Sequence, residues 1–280
     1  MTNRISIERF VFHTHKPKAE AIAQFFKEGC TALGYDCIVT DSNQPVKDRV
    51  GVFYGVIPST YAAFQFYKAE RRAVYLDNGW LSTRELPTLR YTWNGVQSFL
   101  RDMEPVRGKL YFPDLPEIDR KPQNDLALLI LQSRAYFDNL SLGYSRDVWE
   151  RATTRLLTMK GYRVETREKP QKRGPQTEDF FEQIARAGIV VSLNSASCIK
   201  ALRYGIPAYC TLDCTLSPYA PVKLPNVGMA APPPPEDVMD LMRRVAQYEK
   251  TKKDFTSGRI IESLLAVPQE KRRGMWYGTR

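Results

Sequence analysis

Along the first third of the chain, short apolar runs alternate with segments whose apolar residues recur every three to four positions. The run SIERFVFHT (6–14) is dense in β-branched and aromatic residues and reads as a strand. AEAIAQFFKEGCTAL (19–33) has the spacing of an amphipathic helix, closed by Gly34, and YDCIVTD (35–41) is the next strand. RVGVFYGVI (49–57) follows as a strand, STYAAFQFYKAERR (59–72) as a helix capped by Ser59 or Thr60, and AVYLDNGWL (73–81) as a strand running into a loop. This alternation predicts a parallel sheet flanked by helices.

From Pro105 to Asp125 the pattern breaks into a stretch rich in proline and charge, with prolines at 113, 116 and 122, which reads as a connector. The pattern then restarts. LALLILQS (126–133) is a strand, SRDVWERATTRLLTMKG (145–161) a helix ended by Gly161, YRVETR (162–167) a strand and TEDFFEQIARAG (177–188) a helix. IVVSLNSASCIKALRYGIPAY (189–209) combines a strand, a small polar turn, a helix stopped by Gly205-Ile206-Pro207 and a further strand. A proline run at 232–235 leads into a helical C-terminus from Glu236. The expected organisation is therefore α/β with two Rossmann-like domains: 1–120, 121–265, and a basic tail over 266–280.

Composition narrows the classes. A chain of 280 residues, 43% apolar and 26% charged, is an ordinary globular mixture, and no apolar run approaches the roughly 20 residues of a membrane span. The N-terminus lacks the apolar block of a secretory signal, so a cytoplasmic location is expected. The five cysteines form no CxxC pair, and the only histidines are His13 and His15, which argues against a zinc site or a disulfide framework and for buried or free thiols. A formal charge of +10 favours polyanionic partners: nucleic acid, anionic lipid surfaces or phosphorylated donors.

Candidate chemistry gathers where parallel strands end, since open α/β sheets bind ligands at the carboxyl ends of their strands. In the first half those ends carry His13 and His15, Tyr54-Gly55, and Asp77-Asn78-Gly79-Trp80; Trp80, Tyr91 and Trp93 are candidates for a stacking platform. In the second they carry the segment from Gln132 to Ser141, which includes Asp138, the turn at Arg167 to Lys169, and the serine-rich opening of a helix. Ser192, Ser195 and Ser197 there offer hydroxyls, and Asn194 an amide, beside the unpaired N–H groups and positive dipole end of a helix, a combination suited to phosphate and equally to plain N-capping.

The order and spacing of these residues resemble GT-B glycosyltransferases of the capsular-polysaccharide Kdo-transferase type and related transferases carried by bacteriophages, over about 200 residues. Leu76-Asp77-Asn78-Gly79-Trp80 stands where the family has Glu-Asp-Gly-Phe, and Gln132, Asp138 and Ser141 match its strand-ending Gln and Asp-x-Ser. Ser192 to Ser197, Lys200-Ala201-Leu202 and Gly205-Ile206-Pro207 match its nucleotide-binding element, and a proline block before a helix with a Gln-aromatic pair matches its C-terminal part. Three departures stand out: Asp77 in place of Glu, Lys200 in place of an acidic residue, and Lys169-Pro170 in place of a His-Pro turn.

The resemblance implies a GT-B enzyme with neither a catalytic metal nor a bound cofactor, using a nucleotide sugar, expected to be UDP-linked, as co-substrate. It implies donor binding by Gln132, Lys169, Ser192, Asn194, Ser195, Ser197 and Lys200, and catalysis by Asp77 as base or, in a retaining reaction, by Asp138 as nucleophile. His15, Trp80, Arg167, Lys172 and Arg173 are the expected acceptor-binding residues. The acceptor expected is a hydroxylated or hydroxymethylated pyrimidine in phage DNA, which would have to leave the duplex. A capsule or lipid-linked glycan is the alternative acceptor, and a non-enzymatic nucleic-acid-binding descendant is a third reading.

Overall fold

A computed structural model describes residues 9–15, 17–55, 58–82, 87–97, 117, 119, 121, 123–140, 142–168, 179–217, 219 and 233–275. The chain is α/β and divides into two compact units: residues 1–102 with 248–276, and residues 103–247 with 277–280. Among the described residues no helix is long and apolar enough to cross a membrane.

In the first unit, β1 (Phe10–His13), β3 (Val50–Tyr54) and β4 (Ala73–Asn78) run parallel, with β2 (Cys37–Thr40) parallel on the outside of β1. β1 and the first four residues of β3 and β4 are buried, because strands covered on both faces need near-continuous apolar sequence. Helix α1 (Pro17–Ala32) buries Ala19, Ile22, Ala23, Phe26, Gly29 and Cys30, a stripe at helical spacing, and α2 (Pro58–Ala69) packs on β3 and β4.

Two strands depart from the expected all-parallel pattern. β5 (Thr88–Trp93) folds back antiparallel beside β4, and the chain returns after residue 247 to add β10 (Glu249–Thr251) antiparallel to β5, giving the order β10-β5-β4-β3-β1-β2. Tyr91 and Trp93 thereby become core residues, each 3% exposed, and do not form a ligand platform.

The returning segment continues through α8 (Lys252–Thr256) and α9 (Arg259–Leu265) and seals the outside of α1. A Cβ on Gly29 would sit 2.0 Å from the Phe255 carbonyl oxygen, so glycine permits this approach, and Phe26 and Phe255 meet edge to face behind it. The expected domain from 121 to 265 is thus corrected: its last 18 residues belong to the first unit. The expected basic tail is corrected as well up to residue 275. Asn94 Nδ2 donates to the Arg272 carbonyl at 2.6 Å, the Arg272 guanidinium lies 4.3 Å from the Trp93 ring, and Met275 pairs with Gln97.

The second unit holds a four-stranded parallel sheet in the order β7-β6-β8-β9, built from β6 (Gln123–Leu131), β7 (Arg163–Glu168), β8 (Ala187–Ser192) and β9 (Ala208–Cys210). The run Leu126 to Leu131 is buried because β6 is central, whereas the edge strand β7 has the polar sequence RVETRE. Around the sheet lie α3 (Arg134–Leu140), α4 (Arg146–Met159), α5 (Phe180–Arg186), α6 (Ser197–Arg203) and α7 (Pro235–Gln247). Ser145 caps α4 by accepting from the Val148 N–H, and Asp179 caps α5 by accepting from the Phe181 N–H. All five cysteines are buried free thiols.

Candidate functional site

A pocket of about 450 Å³ opens at the carboxyl ends of β6, β7 and β8, and its described lining residues all belong to the second unit. Gln132 and Ser133 follow β6, Arg167 and Glu168 end β7, and Ser195, Ser197 and Lys200 come from the turn and helix after β8. Tyr136 of α3 and Phe180 at the start of α5 supply aromatic walls. The location follows from topology: helices covering both faces of a parallel sheet leave its carboxyl edge as the open concavity.

The electrostatics of this pocket are cationic. Arg167 donates to Gln183 Oε1 at 2.5 Å while its guanidinium lies 5.1 Å from the Phe180 ring centre. Lys200 Nζ lies 5.6 Å from the rings of both Phe180 and Phe181. Burial, reinforced by the charge of Arg203, lowers the Lys200 pKa, so its cationic form gains from a counter-charge placed beside it. Among the described residues Glu168 is the one carboxylate in the lining, and the buried Arg146 guanidinium pairs with it.

The serine turn is more internally satisfied than its sequence suggests. Ser192 Oγ is fully buried, accepts from the Ser195 N–H at 2.9 Å and touches Cys198 Sγ at 3.2 Å. Ser195 Oγ accepts from the Ser197 N–H at 3.1 Å and donates to Ser197 Oγ at 3.1 Å. In the amide orientation that satisfies both its ends, Gln132 accepts from the N–H groups of Ser195 and Asn194 at 3.2 and 3.3 Å. Asn194 is 5% exposed, and its Nδ2 donates to the Tyr136 hydroxyl at 3.0 Å.

The expectation of a bare helix terminus is corrected accordingly. The N–H groups of Ser195 and Ser197 already have acceptors, so an anion would meet the hydroxyls of these serines and the two cations. Ser192 and Asn194 build the turn from beneath and do not line the pocket. Arg167, expected at the acceptor, instead shares this pocket with the donor residues. Asp138 lies exposed on α3 outside the lining, which gives no support to a nucleophilic role. Lys169, Lys172, Arg173 and Ser141 lie outside the described residues.

In the first unit, Asp77 sits near the carboxyl end of β4 with its side chain 31% exposed. Its Oδ2 accepts from Arg90 Nη2 at 3.1 Å and from the Tyr75 hydroxyl at 3.2 Å, and its Oδ1 accepts from the Asn78 N–H at 2.7 Å. Asn78 Oδ1 in turn accepts from Lys18 Nζ at 2.9 Å and from the Tyr54 hydroxyl at 3.2 Å. Burial, with the charge of Asp77 added, pushes the Tyr54 pKa up to about 12, so this phenol remains a hydrogen-bond donor at neutral pH. Asp77, Asn78, Tyr54 and Lys18 therefore form one polar cluster across the ends of β3 and β4.

Trp80 is 1% exposed and packs on the Arg90 guanidinium at 4.4 Å, which removes it from the expected acceptor surface. His15 follows β1 and is half-buried. His13 is fully buried, stacked on Phe53 at 4.8 Å, and its Nδ1 donates to the Ser42 carbonyl at 2.9 Å. Burial lowers its pKa, partly offset by that hydrogen bond, so it belongs to the core. Tyr54 and Tyr136 lie in strand-end segments that the sequence singled out, whereas Arg90, Lys18 and Phe180 were not anticipated as site residues; the alternation in TLRYTW places Arg90 on the polar face, and nothing local shows that this face is covered too.

Fold and pocket define an α/β protein compatible with two Rossmann-like units, the second holding a cationic pocket at its sheet's carboxyl edge. No model of a known protein family matches the chain, and a search of curated proteins finds no match.

Proposed function

We propose that the chain is a GT-B glycosyltransferase that moves a sugar from a nucleotide-sugar donor to a hydroxylated or hydroxymethylated pyrimidine in DNA. What carries the reading is the pocket of the second unit, where Arg167 and Lys200 converge with the hydroxyls of Ser195 and Ser197 between aromatic walls. Two cations offset a diphosphate, two hydroxyls donate to its oxygens, and an aromatic face suits a base or ribose. Fixed cations at the leaving phosphate would stabilise the charge that develops as the glycosidic bond breaks.

The acceptor side of the reading rests on Asp77. Its carboxylate is solvent-accessible, and Arg90 and the Asn78 N–H fix its direction. In this reading it takes the proton from an acceptor hydroxyl as general base in an inverting transfer. The surplus of ten positive charges favours a polyanionic acceptor.

The test is direct. The protein is incubated with a panel of nucleotide sugars and with plain or hydroxymethylated DNA, and digested nucleosides are weighed by mass spectrometry. Sugar mass on the hydroxymethylated base alone supports the reading; transfer to glycans with DNA untouched moves the acceptor to the capsule class; no turnover with retained DNA binding supports a non-enzymatic descendant.

A further inference from the structure

Glu249 is a half-buried residue, its carboxylate desolvated, in a strand that follows the stretch 103–247 of the second unit. β10 lies antiparallel to β5 with Glu249 opposite Arg90, and β5 lies antiparallel to β4 with Arg90 opposite Asp77. Directly opposed residues of such ladders present their side chains on one face. The three therefore form a row across the sheet: carboxylate, guanidinium, carboxylate.

Glu249 spends its acceptor capacity on the turn that follows Asp77. Oε1 accepts from the Leu81 N–H at 2.7 Å and Oε2 from the Thr88 hydroxyl at 2.5 Å. The carboxylate comes so close that a Cβ on Gly79 would lie 2.2 Å from Oε2, so any larger residue there would have to displace this carboxylate. Arg90, next in the row, holds Asp77 Oδ2 and carries the Trp80 ring on its guanidinium.

Burying a carboxylate is unfavourable, and burial raises the Glu249 pKa against the pull of Thr88, the Leu81 N–H and Arg90. A glutamine or an apolar residue would complete a sheet edge at lower cost. A carboxylate instead supplies acceptors for the Leu81 N–H and the Thr88 hydroxyl and a counter-charge for Arg90.

We propose that Glu249 is a positioning residue for Asp77, acting through Arg90 and the turn that Asp77 opens. The inference rests on the reading of Asp77 as the base, but its geometric part is measurable without turnover. The Asn78 N–H donates to Asp77 Oδ1, so its amide resonance reports the direction of that carboxylate.

The experiment uses the full chain with Glu249→Gln, Thr88→Val and Thr88→Ser. Thr88→Val removes one hydrogen bond to Glu249 without changing charge, so it decides the question even where Glu249→Gln fails to fold. The expected result is a displaced Asn78 resonance and roughly tenfold lower turnover in Thr88→Val, with unchanged nucleotide affinity, because the donor pocket belongs to the other unit. Thr88→Ser, which keeps the hydroxyl, restores both. An unmoved Asn78 resonance in Thr88→Val, or a Thr88→Ser protein as impaired as Thr88→Val, overturns the inference. If the resonance moves and recovers as expected while Asp77→Asn keeps full turnover, the positioning stands and the role of Asp77 as base falls.

Discussion

The Ser195 N–H donates to the amide oxygen of Gln132 at 3.2 Å, which ties the end of β6 to the turn after β8. Two adjacent parallel strands thereby share one polar rim, and the hydroxyls of Ser195 and Ser197 face the pocket as a consequence of that bond and of the buried Ser192 below it.

Serines above and below the rim should respond differently to removal. Ser192→Ala deletes a buried acceptor of the Ser195 N–H and should cost about 1 kcal/mol, a fall in Tm of a few degrees. Ser195→Ala with Ser197→Ala also removes the acceptor of the Ser197 N–H, so it should lower Tm by a similar few degrees, but it alone should weaken UDP binding, about tenfold by calorimetry. Equal UDP affinity in the double variant and the parent would take the hydroxyls out of the site.

Lys200 should make anion binding depend on pH. Its pKa lies below the ordinary 10.5, and a bound diphosphate favours the charged form. Where Lys200 is partly neutral, binding takes up a proton, so affinity falls as pH rises through that window. Lys200→Arg keeps its charge throughout and should bind with a flatter profile. Titrating UDP into both proteins from neutral to alkaline pH checks this; parallel profiles would assign the pH dependence to another group.

Asp77→Asn keeps one oxygen, which can accept from the Asn78 N–H or from Arg90 but not from both, and removes the basic carboxylate. Turnover should fall by about 10² or more with donor affinity unchanged. Steady-state kinetics beside calorimetry separates the two quantities, and turnover near the parent's would leave Asp77 as a turn-forming residue.

Glu249 gives a stability signature of definite sign. Its folded pKa is raised above 4.5, so the buried charged form weakens the fold at neutral pH, and the penalty is relieved as pH falls through the folded value. The parent should therefore gain stability relative to Glu249→Gln as pH is lowered from 7 toward 4.5. Urea titrations of both proteins at several pH values measure that difference, and a difference independent of pH would mean that the fold does not raise the Glu249 pKa.

Local pattern made much of this architecture legible. The buried run Leu126 to Leu131, the stripe Ala19-Ile22-Ala23-Phe26 and the turn after Ser192 each declare themselves within a few residues, because period and capping chemistry are local. The pocket-lining residues Gln132, Arg167, Ser195 and Ser197 lie where the rule that strand ends carry ligands had pointed, whereas Lys200 entered only through the family resemblance. What escaped was set at long range. EKT at 249–251 is too short and polar to read as a strand and becomes one only by pairing with Thr88 to Arg90, some 160 positions earlier. Trp80 looked like a platform because nothing near it in sequence reveals the arginine it covers. Ser192 and Asn194 carry the same chemistry as Ser195 and Ser197, and only the pleat of β8 and the reach of Tyr136 decide which of them face inward.

The return of residues 248–276 to the first unit separates the order of synthesis from the order of folding. The second unit lies almost wholly in one continuous stretch and can close as soon as that stretch has left the ribosome. The first unit is made earlier yet lacks its edge strand β10 and the cover that Phe255 gives α1 until residues 249–255 have been made. Its contacts between residues 29 and 255 carry a large loop-closure cost, so the half that emerges first is the half that matures last, and until then it exposes a strand edge and an apolar helix face to whatever chaperones attend the nascent chain.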